Sequence, residues 1–469
     1  MWKTSKTWKI LWKILKIVWE ISGIEISCAV VALMLVMSCL NAAWAAPSSR
    51  KGEDRAETAI SERVVASDVG DNAAVASLSL EDCIEIALAA HPSLRQARGV
   101  TQEQEAHLES LRANDRAKLS AGVSHGYSRS SSSGSDNSYS AGLSGSKMLY
   151  DGGKNRISRT AQGIAIRQAG EGETNTALSI ICDVENACYK LLLAQKNLEV
   201  AQDQLRNLGD HLRMAQGYYE VGARPRIDVT RAEVDVANAR VEMLKAEADV
   251  RLSYENLLVS MGSVNLKPFV LSTTLDAPTV STDVENATQV ALSTRSDYRR
   301  AQLEVEAARV RIRSAARSNA PTFTASFGGQ YSGRDFPLQD NANVGLRVDF
   351  PVFDGGERDA STAAARAQLA QAEASLEGLT QSIVYEVRQA TVDLENARQR
   401  VQSAEEAVQY ANENLKLAQG RYSTGVGSPI EVSDAVSTLS KALFTRYQTL
   451  YDALVAAVAL EKATGGAIR

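Results

Sequence analysis

The chain repeats itself at a fixed distance, and that repeat limits what it can fold into. The segment LYDGG at Leu149–Gly153 returns as VFDGG at Val352–Gly356, and YYEVGARPRIDV at Tyr218–Val229 returns as RYSTGVGSPIEV at Arg421–Val432. Both pairs share one offset, since 354 − 151 = 203 and 425 − 222 = 203. Upstream, IALAAHPSL at Ile86–Leu94 matches VALSTRSDY at Val290–Tyr298 with an offset of 204. Two copies of one supersecondary unit are therefore expected: a first repeat over 79–262, a connector over 263–282 and a second repeat over 283–469.

Within each copy, the stretch from the Asp-Gly-Gly motif to the next shared glycine is 68 residues long and free of proline: Lys154–Val221 and Glu357–Thr424. In the second, apolar or small residues recur at Ile383, Val387, Ala390, Leu394, Ala397 and Val401, then at Ala404, Val408, Ala411, Leu415, Ala418 and Tyr422. The spacing alternates between four and three. Shifted back by 203, the same positions run from Ile180, Val184, Ala187 and Leu191 through Leu212, Ala215 and Tyr219, and all are again apolar or small. A 3.5-residue period sustained over about 40 residues keeps one seam against a partner helix. At about 1.5 Å rise per residue, each such helix would be roughly 100 Å long. Taken alone, this pattern is a generic coiled coil.

What precedes each long helix changes that reading. Val344, Leu346, Val348 and Phe350 alternate with Asn343, Gly345, Arg347 and Asp349, and Phe323, Ala325, Phe327 and Tyr331 alternate with Thr322, Thr324, Ser326 and Gln330. In the first copy, Leu119, Ala121, Val123 and Tyr127 alternate with Ser120, Gly122, Ser124 and Ser128. A weaker segment sets Tyr139, Ala141, Leu143 and Leu149 on one side, with Lys147 intruding on it. These are strands with one apolar and one polar face, arranged as two hairpins with loops around Arg129–Asn137 and Arg334–Asp340. Apolar-out, polar-in strands of this length suit a transmembrane barrel. Four strands cannot close one, and an open edge is not tolerated in lipid. Three chains would supply twelve strands. All nine prolines fall on the expected boundaries, as their cost inside helices and central strands requires.

The first 46 residues are different in kind. Met1–Lys16 carries five lysines and no acid, Ile26–Leu40 is apolar, and Ala43-Trp44-Ala45 supplies small residues before Pro47. This is the layout of a secretory signal peptide over 1–45; an uncleaved anchor is the alternative, with a short apolar run for a span. Cys39 is a poorly framed candidate for lipidation. Residues 46–78 are polar and aperiodic and are expected to be a flexible N-terminal segment. Without residues 1–45 the chain keeps 46 basic and 54 acidic groups, a balance that gives nucleic acid no purchase. Cys83, Cys182 and Cys188 have no metal-type spacing, and His91, His107, His125 and His211 are scattered, so no cofactor, metal site or catalytic constellation is expected and the chain reads as a non-enzyme.

Through the two Asp-Gly-Gly motifs at Asp151 and Asp354, the turns around Gly222 and Gly425, and the duplication itself, residues 79–466 resemble the TolC family of outer-membrane efflux proteins. The resemblance implies a mixed α and β membrane protein: a homotrimer whose twelve-stranded outer-membrane β-barrel continues into a long α-helical coiled-coil tunnel across the periplasm. It implies export of substrate from an inner-membrane transporter and a periplasmic adaptor, in type I protein secretion or small-molecule efflux. Glu431 and Asp434, spaced i, i+3 on one helix face, match the family's aperture acid ring, the first being Glu rather than Asp; capping of the helix start by Glu431 is the competing role. Tyr422 and Asp228 match positions that latch the closed tip by inter-helix bonds. The family's latching arginine falls on Gly427 here, leaving Arg224 or Arg226 to replace it. Val221, Gly222, Ala223, Thr424, Gly425 and Val426 match the adaptor contact, or serve only as tight turns. The reading from another class is a structural envelope tether or trimeric adhesin, which would need neither the acid pair nor amphipathic hairpins.

Overall fold

Each long helix starts where an aspartate and two glycines end a strand. Asp151 accepts hydrogen bonds from the Gly153 and Asn155 amides, and Asp354 accepts from those of Gly356 and Arg358, so each carboxylate satisfies amides that the first turn leaves open. Gly153 and Gly356 sit at φ 81° and 90°, a conformation that a side chain would oppose. Asn319 adds a further donor to Asp354, and these bonds hold the Asp354 carboxyl down at about 2.

In the computed structural model, residues 76–130, 134–263, 268–278 and 283–466 are described. The signal-peptide reading of 1–45, Cys39 and most of 46–78 lie outside them. Residues from Ala74 onward form one compact unit. Its elements, in order, are β1 (Ala76–Leu78), α1 (Leu80–Ala90), α2 (Pro92–Ala113), β2 (Lys118–Ser130), β3 (Gly134–Tyr150), α3 (Lys154–Glu220) and α4 (Arg226–Ser260). Then come β4 (Phe269–Leu271), α5 (Val284–Thr294), α6 (Ser296–Ala316), β5 (Thr322–Gly333), β6 (Gln339–Asp349), α7 (Glu357–Ser423) and α8 (Pro429–Ala463). No helix among the described residues is long and apolar enough to cross a membrane, a fact with no bearing on the strands.

The four long strands form one antiparallel sheet in the order β2-β3-β5-β6. Their register gathers the apolar residues on one face. Leu119 lies level with Gly145, Gly145 with Phe327, and Phe327 with Val344; one step along, Ala121, Leu143 and Gly329 line up. The Phe327 ring lies over Gly145, within 2.3 Å of where a Cβ there would project, so this glycine is what allows the ring to lie flat. The opposite face is polar, mostly serine, threonine, asparagine and glycine, with charged residues such as Lys118, Arg347 and Asp349. Two expectations need correction. Much of the segment expected as a loop around 129–137 is paired strand, with Arg129 opposite Ser135 and Tyr127 opposite Asn137; a serine-rich run lacks the apolar alternation that marks a strand, but the backbone ladder does not need it. The second is that Leu149 does not share a face with Tyr139, Ala141 and Leu143 in simple alternation, because a register shift between Met148 and Tyr150 brings Tyr150 opposite Phe323.

The helices divide the core into three clusters. One joins α1, α3 and α4 with Phe269 and Leu271, and another joins α5, α7 and α8. The third lies near the far ends of the long helices. On α7 the expected seam is buried at every position from Ile383 to Tyr422 except Val408, which is half-buried. On α3 the seam drifts: His211 and Ala215 are buried, whereas Leu212 is half-buried and Tyr219 exposed. Helix α3 packs against both α4 and α8, so a single 3.5-residue stripe does not describe its buried surface. A further correction concerns the N-terminal segment expected to be flexible through 78: β1 pairs in parallel with β4, setting Leu78 beside Leu271. The three cysteines of the described residues are free and buried, and burial pushes the Cys182 thiol up to about 12.

Candidate functional site

Two turns, built alike, sit side by side at the helix tips. After α3, Gly222 takes φ 74° and the amides of Gly222 and Ala223 return to the carbonyls of Tyr219 and Tyr218. After α7, Gly425 takes φ 80° and the amides of Gly425 and Val426 return to Tyr422 and Arg421. Both are glycine-terminated helix ends of the Schellman kind. Pro225 then leads into α4, while Ser428 caps α8, accepting from the Ile430 amide at 3.2 Å. The turns leave apolar side chains in the open, Val221 at 76% and Val426 at 72% exposure. Gly222, Ala223, Thr424 and Gly425 are exposed with them.

Arg224 ties one turn to the other. Its Nη2 donates to the Gly427 carbonyl at 2.9 Å and lies 3.5 Å from the Gly425 carbonyl, and its guanidinium stands 5.5 Å from the centre of the Tyr422 ring. A cation at the carbonyl end of α7 is favoured by the helix field, and one over an aromatic face by the ring quadrupole. Arg226 is exposed at the first position of α4, so of the two candidate arginines it is Arg224 whose guanidinium reaches the second turn. The chain has no room for an arginine at 427: a Cβ there would come within 2.7 Å of the Tyr422 amide nitrogen. The same close approach lets the Gly427 amide donate to Arg421 at 2.8 Å.

Tyr422 is fully buried, with its ring 5.5 Å from Tyr218 and 5.1 Å from His211, both edge-on. Its hydroxyl has no hydrogen-bond partner among the described residues. Burial raises the phenol above its usual value, and the charge of Asp228, half-buried in the first turn of α4, adds to that. Glu431 and Asp434 are both exposed on the first turns of α8. Glu431 is not simply a helix cap, because its carboxylate pairs with Arg421 Nε at 3.2 Å. With both side chains about half exposed, that pair contributes at most about 1 kcal/mol.

Three participants escaped the sequence reading. Arg421 stands where the first copy has Tyr218, so the repeat itself disguised it. Ser433 donates to Asp235 at 2.6 Å and joins α8 to α4, and a serine between two singled-out acids gives no signal of its own. His211 lies one residue off the expected seam.

A family model described as outer membrane efflux protein matches the chain twice, over residues 83–263 and 287–466. The outer membrane protein TolC of Vibrio cholerae is 26% identical over 339 residues, covering 70% of this chain and 76% of that one. The outer membrane efflux protein BepC of Brucella suis is 24% identical over 335 residues, covering 69% and 71%. Crystal structures of CusC, which document folding and transmembrane channel formation, share the fold with a TM-score of 0.71 at 20% identity, over 85% of this chain and 95% of that one. The chain belongs to the outer membrane efflux protein family, with the mixed α and β fold of that family's channels and a place in the cell outer membrane.

Proposed function

We propose that three copies of this chain close into one twelve-stranded barrel continued by a helical tunnel, and that the assembly conducts exported substrate out of the cell. The observation that supports this most is the sheet. Strands β2 and β6 are its two edges, and three antiparallel steps between them make β2 and β6 run in opposite directions. When β6 of one copy meets β2 of the next, the antiparallel ladder continues unbroken, so the edges can be satisfied without a crossover. Strands of 11 to 17 residues are long enough for a tilted transmembrane strand of about 9–11. The apolar face, with Val344 at 91% exposure, would then meet lipid.

The helices would extend from the barrel into the periplasm and narrow at the paired turns. Val221, Gly222 and Ala223 with Thr424, Gly425 and Val426 present the surface for the tips of a periplasmic adaptor, which in turn joins an inner-membrane transporter. Arg224 and Tyr422, with Asp228 supplying charge nearby, hold the closed tip. Glu431 and Asp434, repeated three times, would place six carboxylates about one aperture and favour cations. The cargo is a secreted protein or a small molecule.

Purified protein in planar bilayers is expected to give small, cation-selective conductance. The double substitution Glu431→Gln with Asp434→Asn should lower the cation-to-anion permeability ratio several-fold with little change in assembly. Selectivity unchanged by that pair would remove the aperture role. Failure to conduct in any of several lipids would favour the tether.

A further inference from the structure

The tip bundle encloses two polar atoms that have no hydrogen-bond partner among the described residues, His211 Nδ1 and the Tyr422 hydroxyl. Their rings touch edge-on at 5.1 Å, and His211 is only 2% exposed. One repeat later the corresponding residue is Asn414, which is exposed. Burial at 211 is thus particular to the first copy's tip, where α3 departs from its seam. A neutral imidazole tolerates such a place far better than an imidazolium does.

The groups around it are few. From α4, Asp235 and Asp228 act on the ring by charge, and Ser433 of α8 donates to Asp235. From α7, Tyr422 presents its ring, with the Arg224 guanidinium near that same ring. On α3 itself Asp210 and Arg213 pair with each other at the surface. Burial outweighs the two carboxylates and holds His211 below the ordinary histidine value of 6.5.

We propose that His211 is a proton-operated release for the closed tip, so that acid in the periplasm opens the channel. This rests on reading the paired turns as the closed end of an export channel. In the closed tip the ring is neutral; in an opened, hydrated tip it regains an ordinary affinity for protons. The open state therefore binds more protons wherever pH lies between the two values. Closure is at full strength above the ordinary histidine value and weakens as pH falls through the depressed one. Asp228 and Asp235 then give the imidazolium a destination once the aromatic cluster loosens.

Full-length protein in planar bilayers is the test, at about pH 7.5 and about pH 5.5, values on either side of the ordinary histidine value. Wild-type conductance should rise several-fold at the lower pH, and His211→Gln should stay at the low level in both. His211→Lys, whose ordinary value lies far above both pH values, should favour the opened tip where it stays charged and conduct at the high level throughout. An acid response that persists in His211→Gln, or a wild type that conducts without any acid response, overturns the proposal. A wild type that conducts at neither pH removes the channel reading, and the proposal with it. Hydrogen exchange at the imidazole C2 of the wild-type protein, followed by mass spectrometry, reads His211 directly without a variant. A midpoint below 6.5 supports the release, and one at or above 6.5 refutes it.

Discussion

Tyr422→Ala is expected to raise single-channel conductance several-fold at neutral pH, and to cost the tip about 3–5 kcal/mol, the range for emptying a buried aromatic site. Among the described residues the ring is the largest fully buried side chain, and it sits in the tip cluster with Leu415, Val432 and Val436. It is also where Tyr218, His211 and Arg224 converge. Truncation removes all three contacts together. Tyr422→Phe separates packing from hydrogen bonding, because the hydroxyl it deletes has no partner among the described residues. That change should be near neutral or slightly stabilising, since an unpaired buried hydroxyl carries a desolvation cost and no compensating bond. Arg224→Ala should fall between, at roughly 1–2 kcal/mol for a charge-assisted bond at a partly exposed turn. Conductance in bilayers and hydrogen-exchange protection of the 211–230 and 411–436 peptides would rank the three. Equal leak from Tyr422→Phe and Tyr422→Ala would contradict the packing account.

The second large effect concerns the sheet. Val344→Arg places a guanidinium at the middle of β6 on the apolar face, where a bilayer midplane charges about 2–4 kcal/mol per chain for it. In the proposed three-copy barrel, the penalty would be felt three times in a single assembly. Assembled protein in the outer-membrane fraction should fall steeply. Asn341→Arg is the matched control: same strand, same charge, and the opposite face, which already carries Arg347. If both variants reach the membrane equally well, the assignment of the two faces is wrong.

Much of the fold is legible in the sequence. A proline-free run with a 3.5-residue stripe leaves a chain little choice but a long helix, and α3 and α7 have 67 residues each, ending one residue short of the runs. Alternation fixed the apolar faces of β5 and β6 for the same reason. The serine-rich ends of β2 and β3 were harder, because ladder hydrogen bonds are made by backbone and leave no trace in side-chain pattern. So was the bulge at Met148–Tyr150, where a misplaced Lys147 was the visible symptom and its cause was not. At the tip, homologous positions pointed to Tyr422 and to a displaced arginine. They could not say which of Arg224 and Arg226 reaches across, since that depends on how two turns 203 residues apart lie together. His211 was invisible for a similar reason. A stripe assumes one partner helix, and α3 packs against several.

The even-stranded sheet has two free edges, β2 and β6, which in the proposed assembly meet on neighbouring copies. Native mass spectrometry of the protein extracted from outer membranes into mild detergent tests that meeting directly. Three chains per particle, lost in step with channel activity when β6 is disrupted, is the result the edges call for. A single chain that conducts, or that stays in the membrane with both edges unpaired, would contradict it.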